Sequence, residues 1–279
     1  MAFDDDNFLD DYEIQELIER FESQLENDRL SFFDADELNI LIDYCIQHDD
    51  LNKINIIADM AERYHSESPL YNAIMAKKYL AVQDADNAMK YLQSDNNNFE
   101  DPDYYVNLGY AHSLLYEHEK SIVAYKKALE YLEKDTCDDI YSSIGVEYML
   151  LRKYEPAIKY LIKGLKGCPD VNEQYIEITN CFFFLYRTDE AIEFFQKEID
   201  NNPYSVAAWM ALGNCYLRLH LLEKAVEQYE YALAIDQHYE KAYTNIATIY
   251  NELDRYQDNI DIIEEAFRKK KKKPILYCL

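Results

Sequence analysis

The small residues of segment 206–239, VAAWMALGNCYLRLHLLEKAVEQYEYALAIDQHY, restrict what this chain can fold into more than any other feature. Trp209, Leu212, Gly213 and Tyr216 stand at i, i+3, i+4 and i+7, one face of an α-helix. A short turn later Ala225, Tyr229 and Ala232 mark a second helical face. Two antiparallel helices approach closely where Gly213, Ala225 and Ala232 offer no bulk, while Trp209, Tyr216 and Tyr229 fill the flanking gaps. The segment therefore predicts a helical hairpin.

The pattern recurs at a step of 34 residues. Forward lie Tyr243, Ile246, Ala247 and Tyr250, then Ile263 and Ala266. Backward lie Tyr175, Ile178, Phe182, Ala191, Phe195 and Pro203, and before them Tyr141, Ile144, Gly145, Tyr148, Ala157, Leu161 and Pro169. A copy shifted by two residues carries Tyr105, Leu108, Gly109, Tyr125 and Ala128, and another Met75, Ala76, Tyr79, Ala88 and Leu92. Proline at 169 and 203 falls where a second helix must end, because it lacks the amide donor and clashes with the preceding turn.

On these residues the chain resembles the tetratricopeptide repeat family, whose W-x2-L-G-x2-Y, A-x3-F and A positions are met here with Tyr229 in place of Phe. The resemblance implies an all-α solenoid, a right-handed superhelix of about seven hairpins. We expect repeats over 34–68, 69–101, 102–137, 138–171, 172–205, 206–239 and 240–273, and a tail over 274–279. Before them, 1–33 begins with Asp4, Asp5 and Asp6 and continues as a stripe of Ile14, Leu17, Ile18, Phe21 and Leu25. This predicts a capping helix over the first repeat's apolar face; the other reading is an acidic docking peptide. Asp34 followed by Glu37 predicts a capping box. Only five glycines are present, which suggests that the hairpins need few special turns.

A net charge of −26 argues against nucleic acid as a partner, because phosphate binding needs a basic surface. The start lacks a basic, apolar leader and no run is long enough to span a bilayer, so neither secretion by that route nor a membrane partner is expected. Six cysteines without a C-x2-C pair fit a reducing cytoplasm, with Cys181 and Cys215 as small buried side chains. Six scattered histidines, among them His112 at a core position, offer no metal-ligand spacing, and no phosphate loop or nucleophile elbow is found. No cofactor, metal or catalysis is expected.

What remains is recognition of a protein or peptide. In the family it resembles, the first helices line the concave face. Projected onto this sequence, the inward positions give Lys77, then Tyr110 and Ser113, then Val146 and Met149. They continue through Ile176, Asn180 and Phe183, then Met210, Asn214, Leu217 and Arg218, and finally Asn245 and Thr248. Packing on adjacent repeats is the competing role for the apolar ones. Asn214 and Asn245 match two places of the clamp by which some members hold a C-terminal carboxylate. Met210, however, replaces its lysine, so that capture is not expected. The alternative to a scaffold is a self-assembling structural protein, associating through an open C-terminal repeat and oppositely charged ends. The first 50 residues carry seventeen acidic side chains against two basic, and Arg268 and Lys269 to Lys273 form a basic run.

Overall fold

A computed structural model describes residues 11–27, 31–94, 100–132, 138–166 and 171–271. Among them all regular structure is helical. The chain divides into two compact units, 1–134 and 135–279. The first holds α1 (Asp11–Glu26), α2 (Ala35–Gln47), α3 (Leu51–His65), α4 (Pro69–Ala81), α5 (Ala85–Leu92), α6 (Pro102–Leu114) and α7 (His118–Ala128). The second holds α8 (Asp138–Leu150), α9 (Tyr154–Lys163), α10 (Val171–Phe184), α11 (Thr188–Asn201), α12 (Val206–Arg218), α13 (Leu222–Ile235), α14 (Glu240–Glu252) and α15 (Tyr256–Lys271). From α2 onward the helices pair consecutively into seven hairpins, and α1 packs on α2. The acidic start, the last two lysines of the basic run, segment 274–279 and Pro169 lie outside the described residues.

Local chemistry sets where helices start. Asp34 makes the capping box with Glu37, satisfying two amides that have no partner within α2. The side chains of Asp50, Ser68, Asp84, Asp101 and Ser205 cap α3, α4, α5, α6 and α12. Pro69 and Pro102 occupy the first position of α4 and α6, where the missing N–H is an orphan in any case. They open first helices, whereas Pro203 follows the end of α11.

The close approach of paired helices has one geometric signature. A Cβ built on Gly109 would lie 2.7 Å from ring carbons of Tyr125, and one on Gly145 would lie 2.7 Å from Leu161 Cγ. One on Gly213 would overlap the Tyr229 ring. In each of the three hairpins the glycine on the first helix faces the residue sixteen positions later on the second. Tyr229 and Leu161 are fully buried there, and Tyr125 is 5% exposed.

Cores form where successive hairpins stack. Leu17, Ile18 and Phe21 of α1 join Leu38, Leu41 and Ile42 of α2 and Ile54 and Ile57 of α3 in one cluster. In the second unit, Ala191, Phe195 and Ile199 of α11 pack with Ile178 and Phe182 of α10 and with Ala208, Leu212 and Cys215 of α12. Burial pushes the Cys181 and Cys215 thiols up to about 12, which leaves them protonated and inert.

The turns differ from the expectation drawn from so few glycines. Every hairpin turn places one residue in the left-handed region: Asp49, Gln83, Tyr116, Arg152, Tyr186, His220 and Asp254, with φ between 53° and 60°. At each, two amides bond back to the end of the first helix, as when Tyr186 N donates to Phe183 O at 2.9 Å and Arg187 N to Phe182 O at 2.9 Å. The geometry is the one glycine favours, yet none of the seven is glycine. A side chain there costs about 1–2 kcal/mol, partly offset by the smaller chain entropy it has to lose. Tyr186 is 94% exposed, so its ring recovers little by packing. Tyr186→Gly is expected to stabilise the protein by about 0.5–1 kcal/mol, read as a higher denaturant midpoint with an unchanged slope.

Candidate functional site

Four first helices of the second unit, α8, α10, α12 and α14, carry eleven of the expected inward residues. Seven of them meet in one cavity of about 380 Å³: Ile176, Asn180, Met210, Asn214, Leu217, Arg218 and Asn245. Its walls are α10, α12 and α14, joined by Tyr239 from the linker ahead of α14. Phe183 sits beside it under the Arg218 guanidinium, whose carbon is 4.1 Å from the ring centroid. Arg218 also donates from Nη2 to Asn180 Oδ1 at 2.5 Å, so ring and amide hold the cation. Tyr229 donates its hydroxyl to Asn214 Oδ1 at 2.7 Å.

These bonds determine what the asparagines can offer. With the carbonyl oxygens of Asn180 and Asn214 engaged, each presents amide N–H donors to a ligand. Lys241 adds a second cation, and none of the fourteen residues lining the cavity is acidic. On a chain of net charge −26 this absence gives the cavity a sign opposite to that of the molecule.

The other expected residues lie elsewhere. Val146 and Met149 pack against the α10–α12 core, the packing role weighed for them above. Thr248 lines a separate cavity between α14 and α15. Tyr110 and Ser113 lie on α6 of the first unit. Lys77 is 5% exposed, with Nζ donating to Asp43 Oδ2 at 2.7 Å and to Asn39 Oδ1 at 3.0 Å. Its charge is engaged by α2 and by Asp103, 3.7 Å away, instead of being presented to a ligand. The Asp43 carboxyl still sits above its usual range, because burial and the neighbouring Asp103 and Asp101 charges outweigh Lys77. His112 is part-buried and bonds through Nδ1 to Glu117 Oε2 at 2.7 Å, which ties α6 to the turn before α7.

Asn172, Thr179 and Tyr239 are among the cavity residues that were not expected. Tyr239 donates its hydroxyl to Asn172 Oδ1 at 3.3 Å across 67 residues of sequence. A linker tyrosine reaching the start of α10 has no periodic signal that could have shown it.

Glu177, on α10 one turn from Glu173, is held up to about 7, first by burial and then by that neighbouring charge. Its ionised form is disfavoured in the native state, so stability falls as pH rises from about 4.5 to 7 and stays low above. Glu177→Gln should remove that fall. We expect equal stability to the parent near pH 4 and a gain of about 2 kcal/mol at pH 8, discounted for partial exposure, checked by urea unfolding at both pH values.

Among the described residues, no three or more His, Cys, Asp or Glu side chains are grouped to hold a metal ion, and no helix is long and apolar enough to cross a membrane. Consecutive helical hairpins, three of which close on a glycine at the same place in the 34-residue step, define a helical-repeat protein. The family model described as Tetratricopeptide repeat matches residues 102–134 and 206–239, which are the hairpins α6–α7 and α12–α13. Over those two hairpins the chain is similar to tetratricopeptide repeats.

Solved structures agree on the fold. The apo form of RapI is similar at 15% identity and a TM-score of 0.60, covering 86% of this chain and 77% of that one. The C-terminal part of a TPR repeat-containing protein from Cytophaga hutchinsonii is similar at 15% identity and a TM-score of 0.60, covering 85% and 96%. A chain of the APC/C hetero-tetramer Cut9–Hcn1 is similar at 18% identity and a TM-score of 0.54; 94% of this chain matches about half, 51%, of that one. None of the curated proteins compared matches the chain.

Proposed function

We propose that the protein is a non-catalytic interaction scaffold, and that the α10–α12–α14 cavity receives an extended peptide segment bearing negative charge. The observation that carries this is the lining: amide donors from Asn180 and Asn214, cations from Arg218 and Lys241, and no carboxylate. An extended backbone has carbonyl acceptors for the amides. Leu217 and the half-covered Ile176 offer apolar contact between the polar groups, the mixture that anchors a peptide while fixing its register. An acidic side chain on the segment is matched by Arg218 and Lys241, and a basic segment would meet the same two cations and be rejected.

The test is affinity capture from native lysate, comparing the parent with the triple variant Asn180→Ala, Arg218→Ala and Lys241→Ala. All three side chains are at least partly exposed, so the variant should unfold at a temperature close to the parent's. We expect the captured proteins to be depleted about tenfold or more and the loss to be reproduced by raising the salt. An unchanged set of captured proteins in a folded variant would remove the cavity from the proposal.

A further inference from the structure

Four side chains stand at 34-residue steps along the first helices of the second unit: Asp139 on α8, Glu173 on α10, Ala207 on α12 and Lys241 on α14. Ala207 and Lys241 line the α10–α12–α14 cavity, so the period sets Asp139 and Glu173 on the same inner face, on the two first helices before them. One turn along, the same step joins Glu177, Ala211 and Asn245, and the last two line the cavity. Asp139, Glu173 and Lys241 are exposed, whereas Ala207 is 7% and Ala211 3% exposed. This row is therefore graded in charge: negative on α8 and α10, neutral on α12, positive on α14.

The negative end is not neutralised from within. Neither Glu173 nor Glu177 has a hydrogen-bond or ion-pair partner among the described residues. Glu177 is part-buried, and burial and the Glu173 charge both act against its ionised form. Between α2 and α4 the chain meets the same problem with its own cation, since Lys77 Nζ donates to Asp43 Oδ2 at 2.7 Å. On α10 that part falls to a cation brought by a ligand, which would relieve the charge where it stands.

Resting on the peptide reading of the cavity, we propose that its ligand is an extended segment carrying charges of both signs in a fixed order: a lysine or arginine against Glu173 and Glu177, and an acidic residue against Lys241. Packed helices lie about 8–10 Å apart, so α10 and α14 are about 16–20 Å apart across α12. At about 3.3 Å per residue the two charges then stand about five or six residues apart. The order fixes the direction of the segment, because one laid the other way sets like charges together at both ends. A wholly acidic segment is repelled at α10, as a wholly basic one is at α14.

The test selects random dodecapeptides displayed on phage against the full chain and against the double variant Glu173→Gln, Glu177→Gln. Fluorescence anisotropy then compares the best peptide with a copy whose two charged residues are exchanged. We expect the parent to enrich peptides with Lys or Arg and Asp or Glu five or six positions apart in one order, and the exchange to weaken binding about tenfold or more. The glutamine variant should keep the acidic preference, lose the basic one and unfold no earlier than the parent on heating, a combination that a purely structural role for the two glutamates would not give. Peptides with the acidic residue and no basic residue at that spacing would overturn the order of charges and leave the acidic-segment reading standing. So would an exchange without effect, or a folded glutamine variant that selects the parent's peptides unchanged. Peptides without an acidic residue, or none beyond those kept by the bare support, would remove that reading and this proposal with it.

Discussion

Gly213→Val is expected to destabilise the second unit by about 3 kcal/mol or more, as an overpacked and β-branched helix position. A Cβ at Gly213 would stand 2.7 Å from Cδ1 of Tyr229 and closer still to its Cε1. The ring has nowhere to go: Tyr229 is 0% exposed, sits in the α12–α14 cluster and is tied by its hydroxyl to Asn214. Gly213→Ala should cost less, about 1–2 kcal/mol, since alanine recovers part of the loss through its better helix propensity. Urea unfolding of the three proteins gives the order directly. An alanine variant as stable as the parent would mean that the helices stand further apart than described.

Phe195→Ala is expected to cost about 3–5 kcal/mol, the usual loss when a fully buried phenylalanine is truncated in a core that cannot collapse. Phe195 is 0% exposed and touches three helices' worth of core: Ala191 and Ile199 on α11, Ile178 and Phe182 on α10, and Leu212 on α12 all belong to its cluster. Its ring also meets that of Tyr175 edge to face at 5.1 Å. Because the cluster joins successive hairpins, the variant should loosen α10 and α12 together in hydrogen exchange. A loss confined to α11 would show that the stacked hairpins do not share a core.

The period was legible because packing demands small residues at fixed places. Gly109, Gly145 and Gly213 are where helices touch, and a larger side chain at any of them would meet the facing residue, so the small residue marks the step even where the large residues vary. The capping box at Asp34 was legible for a similar reason: two orphan amides need two specific side chains three residues apart. The left-handed turns were not. Gln83, Tyr116 and Arg152 are not turn formers, and the stacked hairpins impose their backbone against local preference. Of the site, the asparagines and Arg218 could be projected from the repeat, because inward positions follow the period. What the period could not reveal is which inward side chains are already engaged by neighbours, as Lys77 is by Asp43, or which linker residue, here Tyr239, would reach in.

The most direct measurement is a pair of double-mutant cycles, Gly213→Ala with Tyr229→Ala and Gly145→Ala with Leu161→Ala, in two different hairpins. If residues 34 or 68 apart occupy equivalent places, truncating the facing side chain should relieve the added methyl in both. The coupling should then have the same sign and exceed about 1 kcal/mol in each hairpin. Additive costs in either cycle would contradict the equivalence from which the groove and its order of charges were both derived.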